Sequence, residues 1–220
     1  MISAIFSSPR IGVLALQGDF ERHLRRLEFA GVSGVEVRDP SGLKGLDGLI
    51  LPGGESTTII KLINTFEMRA PLIELGKSLP VWGSCAGMIL MSREVEDGII
   101  EPLGLLDISV ARNAYGRQIH STEERVTINW NESQIETRAA FIRAPRITRL
   151  GESVQVLAKR GADPVLIRQG NLLASSYHDE LFDEGLTTEY FLKEVVAPTL
   201  IEKSKSADMP RKAILEAAAK

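Results

Sequence analysis

The sequence predicts a single three-layer α/β domain: a mostly parallel central sheet with helices on both faces and an antiparallel edge. Three observations carry that expectation. Short apolar runs alternate with amphipathic helical stretches as far as about residue 92, the arrangement that builds a parallel sheet. Beyond that point the chain becomes β-rich, with short strands separated by turn residues. No composition break, Ser/Gly linker or internal repeat divides the 220 residues, so the later strands are expected to extend the same sheet.

Ile11 to Leu16 is a continuous apolar run closed by Gln17-Gly18, the pattern of a strand buried on both faces. Asp19 stands where it can cap a helix whose apolar positions Phe20, Leu24, Leu27 and Ala30 recur at helical spacing before Gly31. Arg22, Arg25 and Arg26 give that helix a basic face, read as solvated or as a meeting point for a partner. Val35 to Val37 and Leu46 to Leu51 follow as strands, the second stopped by Pro52-Gly53-Gly54. A helix opens near Ser56 or Thr57 through Ile59, Ile60, Leu62 and Ile63, and Leu72, Ile73 and Leu75 continue the pattern after Pro71. Pro80 to Gly83 reads as a strand and Ala86 to Met91 as the helix after it.

In the second half, strands are expected at Val126 to Ile128, Ala139 to Ile142, Val154 to Ala158, Pro164 to Ile167 and Leu172 to Tyr177. Asn131-Glu132 and Gln169-Gly170-Asn171 mark turns between them. Thr187 to Ile201 is expected to be an amphipathic helix with Phe191, Val195 and Leu200 inward. The domain is expected over residues 10–203. The segment 204–220, Ala-rich after Pro210, reads as a loosely docked extension.

Composition narrows function. With 44% hydrophobic and 25% charged residues the chain can bury a sizeable core, and its formal net charge of −3 argues against nucleic acid as a partner. No apolar window is long enough to span a membrane and no basic leader precedes an apolar stretch, so a cytoplasmic location is expected. One cysteine excludes an intramolecular disulfide framework and a Cys-rich zinc site. No metal and no cofactor is expected.

That one cysteine has a telling context. Gly83-Ser84-Cys85-Ala86-Gly87 places Cys85 at a strand-to-helix turn, with glycines two residues away on either side. A nucleophile on such a turn has a strained backbone closely approached by other elements, which requires small neighbours. Cysteine is also a common inert core residue, so the pentapeptide alone leaves both readings open. Of three histidines, His23 lies beside the apolar stripe of the first helix and His120 in a polar stretch; both read as structural or surface residues. His178 ends an apolar run and is followed by Asp179-Glu180. In extended chain, residues two apart share a side, so Glu180 can orient His178 while Asp179 faces away. Pro52-Gly53-Gly54-Glu55-Ser56-Thr57-Thr58 can present backbone N–H groups at a strand end. A phosphate cradle is disfavoured, lacking the P-loop lysine and carrying Glu55; an oxyanion hole, an amino-acid pocket and a plain helix cap stay open.

Taken together, several segments resemble the class I glutamine amidotransferases, and more narrowly the glutaminase subunits of pyridoxal 5′-phosphate synthase. They are Leu16-Gln17-Gly18, Leu51 to Thr58, Gly83 to Gly87, Ala111-Arg112-Asn113 with Gly116-Arg117-Gln118, Phe141 to Pro145, and Ser176 to Leu181. The resemblance runs from about residue 10 to 200 and implies a flavodoxin-like glutaminase fold. It implies that Cys85 attacks the side-chain amide of L-glutamine, that His178 moves protons and that Glu180 orients His178. It implies Gly54 and Ala86 as oxyanion-hole amides, and Gly53, Gly54, Glu55, Arg112, Ile142 and Arg143 as glutamine-binding positions. It also implies a (βα)₈-barrel synthase subunit as the partner that receives the ammonia.

Asp179 departs from the family's usual Pro between His and Glu, and Trp82 and Ser84 stand where Phe and Thr are commoner. Activity is expected to survive if the residue 179 side chain points away from the pocket. Two other readings are a glutaminase of another amidotransferase, such as imidazole glycerol phosphate synthase, and a non-catalytic scaffold of the same fold. Arg112 and the Phe141 to Pro145 segment argue against the first, and an intact Cys85, His178 and Glu180 against the second.

Overall fold

A computed structural model of the chain describes residues 8–114, 121–203 and 205. Gly116-Arg117-Gln118, His120 and the tail beyond residue 205 lie outside the described residues. The chain forms β1 (Arg10–Leu14), α1 (Phe20–Phe29), β2 (Ser33–Val37), a 3₁₀ turn (Pro40–Leu43) and β3 (Gly48–Leu51). Then come α2 (Ser56–Thr65), α3 (Arg69–Gly76), β4 (Val81–Ser84) and α4 (Ala86–Met91). The second half contributes β5 (Ser92–Val95), β6 (Leu106–Ala111), β7 (Thr122–Trp130), β8 (Ser133–Phe141), β9 (Arg146–Leu150), β10 (Gln155–Arg160), β11 (Asp163–Gln169) and β12 (Leu172–Ser175). A last helix, α5 (Leu186–Tyr190), continues through a π-helical segment (Phe191–Val196).

The central sheet has seven strands in the order β2-β1-β3-β4-β12-β11-β10. Its first five members are mutually parallel, and β11 and β10 run antiparallel at one edge. Register explains the continuous apolar runs. Val13 pairs with Ile50, Ile50 with Trp82 and Trp82 with Leu173, so one row of buried side chains crosses four strands on a single face. Leu27 of α1 and Phe191, Val195 and Val196 of the last helix cover that face. The alternate residues Leu14, Leu49, Leu51 and Val81 point to the other face, beneath α2, α3 and α4. Burying each such side chain is worth roughly 1.5–3 kcal/mol, which is why both faces carry helices.

The strands of the second half divide. Only β10, β11 and β12 join the central sheet; β5, β6 and β9 form a three-stranded sheet, and β7 and β8 a separate hairpin. This corrects the expectation that all the later strands extend one sheet. The hairpin turns at Asn131, whose φ of 55° is the left-handed conformation asparagine tolerates in a two-residue loop. The apolar stretch 56–75 is two helices, not one. Glu67 takes a positive φ at the break, and Pro71 falls in the first turn of α3, where no intrahelical N–H is needed. In the last helix Phe191 and Val195 are buried as expected, while Leu200 is half-buried.

A strand order of 2-1-3-4 followed by further strands places a topological switch between β1 and β3, and ligands in such sheets bind outside the carboxyl ends there. Gln17-Gly18 follows β1, Gly53-Gly54 follows β3, Cys85 follows β4 and His178 follows β12. All the sequence signals for chemistry therefore converge on one end of the sheet.

Candidate active site

Cys85 occupies the single residue between β4 and α4, with φ 49° and ψ −99°. Such a conformation costs a non-glycine residue of order 1–3 kcal/mol and persists only where its surroundings hold it. They do so here: the Cys85 N–H donates to the Ser175 carbonyl at 2.7 Å. The flanking glycines have a steric reason. A Cβ on Gly83 would lie 2.5 Å from the backbone of Gly87, and one on Gly87 would lie 2.0 Å from the Leu51 carbonyl oxygen.

His178 is carried to the sulfur by the chain leaving β12. An isolated antiparallel bridge to Ala140 fixes its backbone, with N–H···O distances of 2.9 and 3.1 Å. Its ring packs on Gly53, where any Cβ would lie 2.2 Å from Cε1. Nδ1–H donates to Glu180 Oε1 at 2.6 Å, and both side chains are buried. Burial alone would lower the His178 pKa. The Glu180 carboxylate, and then the Cys85 sulfur by charge and hydrogen bond, outweigh it and hold the imidazole well above its ordinary value. Glu180 shows the converse: burial pushes upward, but His178 first and His23 second bring its pKa down to about 2. The site thus sets the imidazole between a carboxylate and a sulfur, the arrangement of nucleophile, base and orienting group that nucleophilic catalysis by cysteine requires.

Asp179 does turn away. Its Oδ2 accepts the Thr187 N–H at 2.7 Å, capping α5, whose Gly185 N-cap has no side chain to do so. Burial, then the Glu180 charge, raise its pKa to about 7. Trp82 and Ser84 both find polar partners: Trp82 Nε1–H donates to Ser175 Oγ at 3.1 Å, and Ser84 Oγ–H to the Tyr177 carbonyl at 3.2 Å.

The cavity in front of Cys85 measures about 480 Å³ and is lined by Gly53, Gly54, Glu55, Ile142, Arg143 and His178 among others. A contiguous smaller recess adds Arg112. All six expected glutamine-binding positions therefore meet at the candidate nucleophile. Arg112 and Ile142-Arg143 arrive from the smaller β-elements, at the end of β6 and between β8 and β9. Arg112 is aimed by Asp97, which accepts from Nε at 2.7 Å, and by Ser56 Oγ at 3.1 Å from Nη1. Glu55 lies between two guanidinium groups, 4.0 Å from Arg112 and 3.6 Å from Arg143. Arg143 has φ 48°, a second strained non-glycine residue at the cavity wall. Ala86 is the first residue of α4, so its N–H has no acceptor within the helix.

Three contributors escaped sequence reasoning. Gln17 Oε1 accepts the Glu55 N–H at 2.9 Å and so ties the loop after β1 to the loop after β3. Asp19 stands at the N-cap of α1, but its side chain makes no capping bond and lines the cavity instead. His23, read as a structural or surface residue, is fully buried with Nε2 3.5 Å from Glu180 Oε1. The signal for its burial was present: Asp19, His23 and Leu27 share one face at i, i+4 spacing. Arg26 also leaves the solvated basic face assigned to it and donates to the carbonyls of Asp183 and Glu184 at 2.5 and 3.0 Å. Among the described residues, Asp19, His178 and Glu180 form the only cluster with metal-ligand spacing, their atoms within 4.8 Å of one another. His178 Nδ1 and Glu180 are already committed to each other.

Comparison with known proteins agrees with this geometry. Residues 13–197 match the SNO glutamine amidotransferase family. The chain is 46% identical over 187 residues to the pyridoxal 5′-phosphate synthase subunit PdxT of Thermotoga sp. (strain RQ2), covering 84% of this chain and 99% of that one. It is 46% identical over 197 residues to PdxT of Kineococcus radiotolerans, covering 86% and 95% respectively. A crystal structure described as a glutamine amidotransferase superposes with a TM-score of 0.78 at 45% identity, over 83% of this chain and 97% of that one. PurLQS from Thermotoga maritima, 16% identical with a TM-score of 0.60 over 90% of this chain and 99% of that one, shares the fold. With its single α/β domain and its match across most of its length, this chain belongs to the SNO glutamine amidotransferase family.

Proposed function

We propose that the chain hydrolyses L-glutamine to L-glutamate and ammonia through a thioester on Cys85, and hands the ammonia to a barrel-type pyridoxal 5′-phosphate synthase subunit. The observation that carries this reading is the arrangement of Cys85 on a strained turn, His178 against its sulfur, and Glu180 2.6 Å behind the imidazole. The cavity in front of it holds both charge signs an amino acid needs, with Glu55 for the α-ammonium and Arg112 or Arg143 for the α-carboxylate.

The chemistry follows from those positions. The Cys85 thiolate attacks the side-chain amide carbon, and the amides of Gly54 and Ala86 stabilise the oxyanion. A donor of this kind is worth roughly 3 kcal/mol of barrier. The C–N bond breaks as the His178 imidazolium gives its proton to the departing nitrogen, leaving a thioester and a neutral ring. Water then attacks the thioester carbonyl, His178 takes its proton, and glutamate leaves as the thiolate and imidazolium are restored. Glu180 holds the ring with Nδ1–H toward itself and Nε2 toward substrate throughout.

The synthase partner rests on the names of the relatives, which are subunits of pyridoxal 5′-phosphate synthase. No helix among the described residues is long and apolar enough to cross a membrane. A reducing cytoplasm suits a chain whose mechanism needs its one thiol free. The test is glutamate formation from glutamine by the purified chain, with and without the synthase subunit. Cys85→Ala is expected to remain folded and to release no ammonia above background; release at the wild-type rate would overturn the reading.

A further inference from the structure

Glu180 must stay ionised and fixed for His178 to keep its orientation, yet its side chain is fully buried. Its Oε1 carries the 2.6 Å bond from His178, while among the described residues Oε2 has no hydrogen-bond partner. A buried carboxylate with one oxygen left unpartnered is poorly supported, because each missing bond exposes it to the full desolvation penalty. Two further donors approach Oε1 at 3.5 Å: Ser84 Oγ and His23 Nε2. Ser84 already donates to the Tyr177 carbonyl at 3.2 Å. His23 is uncommitted, since among the described residues neither of its ring nitrogens has a hydrogen-bond partner although the side chain is fully buried.

The structure assigns His23 as a positioning residue for the Cys85–His178–Glu180 group, a neutral imidazole whose Nε2–H faces Glu180 Oε1 and holds that carboxylate ionised and in place. This deepens, and rests on, the glutaminase reading above. Its ring is held edge-on to the Trp82 indole, with centroids 5.0 Å apart and planes at 87°, so it has one orientation from which to donate. The charged groups acting on it are Asp19 from its own helix and His178 and Glu180 from the segment after β12; β4 contributes only the uncharged Trp82. Burial lowers the His23 pKa, Glu180 and Asp19 push it up, and the neighbouring His178 charge opposes a second imidazolium on the same carboxylate. The two histidines thus divide the work: His178 carries the proton that moves, and His23 supplies a fixed N–H. A Leu or Phe at this position would fill the space and leave Glu180 one donor short.

The test compares His23→Leu with His23→Gln, whose side-chain amide retains an N–H. A hydrogen bond to a buried charge is worth a roughly 10- to 100-fold change in rate, so His23→Leu is expected to lower kcat by that factor with KM for glutamine little changed. His23→Gln is expected to recover most of the loss. Independently of activity, NMR of ¹⁵N-histidine-labelled protein should show His23 neutral from pH 6 to 8 with its proton on Nε2. The downfield Nδ1–H signal of His178 should move upfield in His23→Leu and stay in His23→Gln. The assignment is overturned if His23→Leu leaves kcat and the His178 signal unchanged, if both variants fall equally, or if His23 titrates between pH 6 and 8. Should the wild-type chain release no ammonia, the glutaminase reading fails, while the NMR comparison still decides whether His23 supports Glu180.

Discussion

Replacing Asp179 by Asn should stabilise the protein at alkaline pH and change little at acid pH. Asp179 is fully buried, bonded through Oδ2 to the Thr187 N–H at 2.7 Å, and among the described residues its Oδ1 has no partner. Burial and the adjacent Glu180 raise its pKa from 3.8 to about 7, with the Thr187 bonds and Arg26 offsetting part of the rise. Between those values the folded state keeps a proton that the unfolded chain has lost, so stability falls as pH rises through this window and levels off above about 7. The shift of about three units, at 1.36 kcal/mol each, sets an upper bound of about 4 kcal/mol on the effect. In Asp179→Asn the side-chain amide cannot ionise, and its oxygen can accept the same Thr187 N–H, so the cap survives. The assay is urea unfolding of both proteins at pH 4.5, 6, 7 and 8. Contributions from the rest of the chain enter both curves and cancel in the difference. The Asn variant should gain on the wild type steadily from pH 4.5 to 7; a difference independent of pH, or one that grows toward acid, would show that Asp179 does not hold its proton in the folded state.

Three further outcomes follow from distances in the site. Glu180→Gln removes the charge that outweighs burial at His178, so the imidazole pKa should fall, visible by NMR, and kcat should drop roughly 100-fold or more. In Gly87→Ala the helix propensity gained is about 1 kcal/mol, but the new Cβ would lie 2.0 Å from the Leu51 carbonyl oxygen; overpacking costs about 1–3 kcal/mol, so the melting temperature should fall where propensity alone would raise it. If Arg112 is the guanidinium that takes the substrate carboxylate, Arg112→Ala should raise KM for glutamine roughly 10- to 100-fold with a smaller effect on kcat; a lowered kcat at unchanged KM would assign Arg112 another role.

Much of this site could be read in the sequence because its parts are local. Gly83 to Gly87 shows its spacing within five residues, although Gly87 and the Cys85 N–H also meet Leu51 and Ser175, and His178 reaches Glu180 through the two-residue period of extended chain. The parallel half of the sheet was equally legible, since strands buried on both faces are uniformly apolar. What escaped depends on contacts distant in sequence. Neither β5 nor β9 has a long apolar run, and both pair with β6 across many residues; β6 itself carries a period-two mark in Leu106, Ile108 and Val110, but nothing local shows that it leaves the central sheet to deliver Arg112. His23 looked like a core histidine because nothing around Phe20 to Ala30 shows that Glu180, 157 residues later, will come to lie 3.5 Å from its ring. Asp19 looked like a helix cap because that is what an aspartate before a helix ordinarily does. Here it faces the cavity, and the carboxylate that caps a helix is Asp179, between the two residues assigned to chemistry.

A covalent bond from Cys85 to glutamine can be seen directly by trapping the intermediate. Wild-type chain mixed with its synthase subunit and glutamine is quenched in acid at early times, digested and examined by mass spectrometry. A transient mass increase of one glutamyl group is expected on the peptide containing Cys85, lost on mild alkaline treatment and absent from Cys85→Ala. Ammonia and glutamate formed at the wild-type rate by Cys85→Ala, with no adduct on the wild-type peptide at any quench time, would contradict it.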